Sequence, residues 1–267
     1  MKIQNKYALF LLCKIRYIRN GQNLKSLKII KDGRFYIYNV GGMHIASEAF
    51  NWYLTEAVLA QEVRRVSCRY YTPKPGDTVV DIGAGLGEET CVYTTLVGQL
   101  GKVYAIEANP QVYDTLYQVV KLNKFTNVEP YNMAINNITE KVRIDDAPTS
   151  YLSSSLNNIS KGTVYEVDGI PFKEFCASHA IKEIDLLKVN IEGAERFLKT
   201  AFADSRLTIH NVAIACHDFR YAEEGNEFFR TKQLVNDYLN QYGYETWSQQ
   251  IGIPHIDDWV YGKKLTP

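Results

Sequence analysis

The sequence predicts a doubly wound α/β fold, and three observations carry that prediction. From Asp77 onward, strand-like β-branched runs alternate with helix-like runs. The strand runs are apolar on both faces, which in a parallel sheet means cover on both sides. A glycine cluster falls between the first of these strands and the first of these helices, where α/β folds gather ligands. At 267 residues the chain is long enough for one large α/β domain, or for one domain plus a small appendage.

The elements follow in order. Residues 7–13 (YALFLLC) are apolar between Lys2, Lys6 and Lys14, Arg16, Arg19. Seven residues do not span a bilayer, which takes about 20, and no small-x-small cleavage site follows. The segment reads as a helix packing on the domain; the alternative is a weak contact with the inner face of a membrane. Residues 28–40 read as a hairpin bending at Asp32-Gly33, and apolar side chains at helical spacing predict a helix over 46–70. These 70 residues form the N-terminal extension, and 71–267 the main domain. There, DTVVDIG, KVYAIEA and NVEPYNMAI read as the first three strands, with helices running to Gly98 and from Pro110 to Lys124. A polar insertion over 138–165 contains one edge strand, KVRI. A helix over 171–179, the strand IDLLKVNI, the helix GAERFLKTAF and the strand IHNVAIAC follow. A helix over 227–242 and two closing strands, at 244–247 and 259–261, complete the chain.

Composition narrows the function. Hydrophobic content of 46% with 22% charged residues excludes disordered, collagenous and coiled-coil chains. Thirty basic and thirty acidic residues cancel, so the chain as a whole exerts no long-range pull on nucleic acid or anionic lipid, whatever a local patch does. Five widely spaced cysteines without a C-x-x-C pair argue against a disulfide framework or zinc ribbon and fit a reducing cytoplasm.

The chemistry concentrates at Asp81-Ile82-Gly83-Ala84-Gly85-Leu86-Gly87-Glu88, which follows a strand and opens a helix. The spacing is G-x-G-x-G, not the G-x-G-x-x-G of a dinucleotide loop. A carboxylate at Asp81 repels a diphosphate and suits a cofactor bearing ammonium and sulfonium groups, such as S-adenosylmethionine. Glu107 ends the next strand, where an acid accepts from ribose hydroxyls and repels a 2′-phosphate. Around these lie Thr90 in the helix, and Ala108 and Asn109 after Glu107. At the third strand end, Asn132, Met133 and Ala134 suit an adenine ring.

On PGDTVVDIGAGLGEET, VYAIEANP, VDGIPFKEF and above all IDLLKVNIEGAE, the chain resembles the FkbM family of class I S-adenosylmethionine-dependent methyltransferases over residues 71–261. The resemblance implies a Rossmann-like seven-stranded sheet, S-adenosylmethionine as cofactor and methylation of a hydroxyl, often on a sugar or polyketide-like product. One departure is Asn190, where the family pattern K-x-D-x-E-G has Asp.

Because ligands collect at the carboxyl ends of strands, Asp77, Asp185 and His210 belong to the structural edge. Asn190, Glu192, His217 and Asp218 belong to the functional one. Methylating an aliphatic hydroxyl calls for a general base. His217, with an ordinary pKa of about 6.5, and Glu192 are the candidates, and Asn190 is placed to orient acceptor or base. No compact spacing supports a metal. Residues 151–155 and the aromatic Trp247, Trp259 and Tyr261 are candidate acceptor walls. The reading is a cytoplasmic S-adenosylmethionine-dependent O-methyltransferase acting on a saccharide, glycolipid or related natural product, without a nucleic-acid partner. The alternatives are an NAD-dependent oxidoreductase and a non-catalytic cofactor-binding module.

Overall fold

The computed structural model describes residues 6–146 and 163–265. Helix α1 (Lys6–Arg19) leads into an antiparallel sheet of β1 (Leu24–Ile30), β2 (Phe35–Val40) and β3 (Met43–Ser47). The expected hairpin is therefore present with a third strand added. Its presence shortens the next helix, because α2 runs only over Glu56–Arg65. Thr55 is in extended conformation and its side chain accepts from Val58 N, so the helix starts there and not at residue 46. Apolar spacing over 46–70 mixed the end of a strand with a helix.

The main sheet uses β4 (Thr78–Ile82), β5 (Lys102–Glu107), β6 (Val128–Asn132), β10 (Glu183–Val189), β11 (Thr208–Ala215), β12 (Tyr244–Trp247) and β13 (Trp259–Lys264). Their order is β12-β13-β11-β10-β4-β5-β6, seven strands among the described residues. Strands β4, β5, β6, β10 and β11 are parallel, and β13 lies antiparallel between β11 and β12. The third expected strand is divided. After β6 the chain leaves the main sheet, and β7 (Ala134–Ile135) pairs with β9 (Thr163–Ile170), itself antiparallel to β8 (Glu140–Asp146). KVRI is thus an edge of a small separate sheet.

Helices cover both faces. Val79, Val103 and Leu186 pack with Val92, Tyr93 and Val97 of α3 (Glu88–Val97) and Leu116 of α4 (Pro110–Asn123). Leu9, Cys13, Tyr17, Leu24 and Tyr38 from the first 70 residues join this same cluster. Val80, Ile82, Leu187 and Val189 point the other way. They meet Phe172 and Phe175 of α5 (Phe172–Ser178), Ala201 of α6 (Lys199–Phe202) and Val235 of α8 (Lys232–Gln241). Adjacent strand residues serve opposite cores, which is why these strands read as continuous apolar runs. Two short helices, α7 (Asp218–Glu224) and α9 (Pro254–Asp257), sit beyond the carboxyl ends of β11 and β12. No described helix is long and apolar enough to cross a membrane.

Candidate active site

The glycine loop is held from beneath by a cation. Parallel pairing puts Lys188 of β10 opposite Asp81 of β4, on one face of the sheet. The Lys188 ammonium lies 2.9 Å from Asp81 Oδ1 and 2.8 Å from Glu89 Oε2, and donates to Gly83 O at 2.8 Å. Burial works to lower its pKa, but Asp81 and Glu89 outweigh that and keep the amine charged. Asp81, expected to face a cationic cofactor, is fully buried and answers the protein's own lysine; Thr90 Oγ1 donates to it at 2.9 Å and is buried as well. The network continues outward, with Ser67 donating to Glu89 and Tyr93 donating to Ser67. An apolar strand interrupted by one lysine in IDLLKVNI was the available signal for Lys188.

Above this network the loop turns through positive φ at Gly83, Gly85 and Gly87. A Cβ on Gly83 would stand 1.9 Å from Asn190 O, so only glycine lets the β4 and β10 loops touch. The amides of Gly83 and Ala84 donate to Ile106 O, that of Gly85 to Glu107 Oε2 at 3.0 Å, and that of Gly87 to Ala84 O. These loop donors close on the protein, leaving the first-turn amides of α3, which lack intrahelical partners, as the groups suited to an anion.

Glu107 is buried at the end of β5, accepting from Gly85 N and from Asn109 N at 2.8 Å. Burial pushes its pKa up to about 7 against those two amides. A carboxylate has about four acceptor positions, so two amides leave room for two ribose hydroxyls. Asn109 caps α4, its side chain accepting from Gln111 N, with Pro110 in the first turn. Asn132 donates to Glu107 O and Ala108 O, tying the second and third strand ends together, and Met133 is half-buried beside buried Ala134. Hydrogen bonds thus tie Glu107, Ala108, Asn109 and Asn132 together, with Met133 and Ala134 next along the chain.

A second charged group stands past the ends of β10 and β11. Glu192 adopts a left-handed backbone (φ 53°), a conformation costing about 1–3 kcal/mol for a non-glycine residue. Its carboxylate meets His217 Nε2 at 3.1 Å and Arg220 Nη1 at 2.6 Å. His217 Nδ1 lies 2.9 Å from Glu195, which is fully buried and accepts from the Ile191 and Gly193 amides. Burial lowers the His217 pKa, but the two carboxylates overcome it and lift the imidazole to about 10. A neutral histidine base near pH 7, the expectation from an unperturbed ring, gives way to an imidazolium. Asp218 is spent elsewhere: Oδ2 accepts from Thr231 N and Lys232 N. Glu195 and Arg220 escaped the sequence reading, although each follows a chosen residue by one helical turn.

Asn190, Glu192, His217 and Arg220 line a cavity of about 660 Å³ together with Glu62 of α2, Glu88 and Glu89 of α3, and Phe219, His255 and Trp259. Asn190 Oδ1 is buried there without a hydrogen-bond partner, an acceptor suited to a ligand donor. Of the three aromatic residues named as walls, Trp259 alone lines it; Trp247 and Tyr261 line a different pocket beside Tyr70. Residues 151–155 lie outside the described residues. Asp77 and Asp185 sit at the far edge, where they accept from Tyr71 and Thr78, while His210 pairs there with Glu183.

The model of the methyltransferase FkbM domain matches residues 81–246, more than half of the chain. That of protein-L-isoaspartate(D-aspartate) O-methyltransferase matches residues 18–134. Among curated proteins, the protein-L-isoaspartate O-methyltransferase of Fervidobacterium nodosum is 31% identical over 84 residues, 32% of this chain and 37% of its own. Protein-L-isoaspartate O-methyltransferase 2 of Archaeoglobus fulgidus is 28% identical over 28% of this chain and 34% of its own. The chain therefore spans little more than a third of the curated relatives it matches. Among solved structures, the methyltransferase FkbM of Methylobacillus flagellatus KT aligns at 15% identity and TM-score 0.46, over 76% of this chain and 50% of its own. The fibrillarin of Aeropyrum pernix, solved with natively bound S-adenosyl-L-methionine, aligns at 14% identity and TM-score 0.44, over 90% and 98%.

Proposed function

This chain belongs to the FkbM family of S-adenosylmethionine-dependent methyltransferases, and on that premise we propose that it methylates a hydroxyl oxygen of a saccharide, glycolipid or related natural-product acceptor. The observation that carries this reading is the cavity beside Glu192. Six glutamates line it (Glu62, Glu88, Glu89, Glu192, Glu223 and Glu224) against the basic Arg65 and Arg220 and the histidines His217 and His255. Carboxylates accept from hydroxyls and repel phosphates, and the Phe219 and Trp259 rings suit the apolar faces of a sugar.

When bound, S-adenosylmethionine supplies a methyl group already activated on sulfonium, so the protein mainly positions the acceptor and removes one proton. Glu107 would hold the ribose hydroxyls, with Ala108 and Asn109 beside them. Asn132, Met133 and Ala134 would flank the adenine. Asn190 Oδ1 would accept a hydrogen bond from a ligand in the cavity. Glu192 takes the hydroxyl proton. His217, fixed as imidazolium between Glu192 and Glu195, and Arg220 hold that carboxylate in one orientation. Lys188 keeps the glycine loop in place through Gly83 O.

The likeness to isoaspartate methyltransferases stops at residue 134, before Asn190, Glu192 and His217. It covers the half assigned here to the cofactor and not the half assigned to the acceptor. A carboxylate acceptor would also meet the glutamate-lined wall. Incubation with methyl-labelled S-adenosylmethionine and a panel of glycans, glycolipids, sugar nucleotides and isoaspartyl peptides tests the reading. O-methylated saccharide is expected; turnover of the isoaspartyl peptide alone overturns it. Silence across the panel would favour a binding module.

A further inference from the structure

The neutral total charge conceals a division. Residues 1–31 contain eight lysines and arginines and no aspartate or glutamate. Within that stretch, α1 uses Leu9, Cys13 and Tyr17, one turn apart, to enter the core, and the Tyr17 hydroxyl donates to Leu54 O just before α2. The opposite face ought to be polar on a helix that only packs on a domain. It is aliphatic instead: Leu11, Leu12, Ile15 and Ile18 are 58, 51, 43 and 59% exposed. Arg16 and Arg19 stand exposed in the last turn, and Lys25 and Lys28 on β1 are exposed as well.

We propose that this face docks on the surface of an anionic phospholipid bilayer, with the aliphatic side chains entering the acyl boundary and the basic residues meeting lipid phosphates. Charge selects this occupant. An acid-free segment repels a second copy of itself, whereas anionic headgroups complement it. A 14-residue helix is about 21 Å long, too short to cross a bilayer, so it lies in the interface.

The test is co-sedimentation of the full chain with vesicles of phosphatidylcholine alone and of phosphatidylcholine mixed with phosphatidylglycerol. Binding to the mixed vesicles only, weakening as salt rises, is expected. The triple variant L11S/I15S/I18S should lose binding with its melting temperature unchanged. R19Q and K25Q, which remove one surface charge each, should each weaken partitioning about fivefold, and they test the proposal even where the triple variant folds poorly. Absence of binding to mixed vesicles, or binding unaltered by all three variants, overturns it. So does a lipid-free dimer that the triple variant dissolves, which would make the face an interface between copies. Because the readout is vesicle binding, its result is independent of the methylated acceptor.

Discussion

Two cations stand at neighbouring strand ends, each between two carboxylates, and they differ in what they touch. Lys188 sits between Asp81 and Glu89, and His217 between Glu192 and Glu195. Both side chains are almost fully buried. Lys188 precedes the end of β10, so it lies under the glycine loop with a carbonyl as its third partner. His217 follows the end of β11 and lines the cavity with Glu192. One group supports the loop and the other borders the cavity. A cation held between two carboxylates thus supports a loop inside the end of β10 and borders a cavity past the end of β11.

Removing each cation tests this contrast. Lys188→Ala should be costly, because it leaves the buried Asp81 carboxylate without its cation and facing the partly exposed Glu89: about 3–5 kcal/mol of stability, read by urea denaturation. The pair D81N/K188M, which removes opposite charges together, should cost much less. Equal losses would mean that the ion pair is not what the loop rests on. Glu192→Gln keeps shape but cannot take a proton. Turnover should fall by about 10²–10⁴-fold while calorimetric cofactor affinity stays unchanged. A fall in affinity instead would move Glu192 to the cofactor side.

Glu107→Ala should weaken S-adenosylhomocysteine binding by about 1.5–3 kcal/mol, the range for hydrogen bonds to a charged group. Its carboxyl ionises near pH 7, so affinity should rise from pH 6 to pH 8, and Glu107→Gln should abolish that rise. A pH-independent wild type would remove the ribose from Glu107.

The last test reads a slope. The folded His217 pKa of about 10 lies above the ordinary histidine value. Its stabilising contribution is therefore complete below about pH 6.5 and is lost as pH rises through 10, at no more than about 1.4 kcal/mol per pH unit. Melting temperatures between about pH 7 and 8.5, above the Glu107 range and below that of the buried thiols, should show a decline that His217→Gln flattens. Lys188, held charged beyond that range, contributes none of it.

Alternating apolar runs and the glycine loop were sufficient to determine the layered sheet, because burial on both faces leaves a strand no polar register. The order of ionisable residues along the chain likewise put Glu107, Glu192 and His217 at one edge, since parallel strands all end there. Tertiary structure alone decided what those groups face. Asp81 meets Lys188 through a register between β4 and β10, strands more than a hundred residues apart. His217 owes its charge to two carboxylates converging on a ring withdrawn from water. Electrostatic coupling falls steeply with distance in space and takes no account of distance along the chain, so protonation and partnership were settled only when the strands paired.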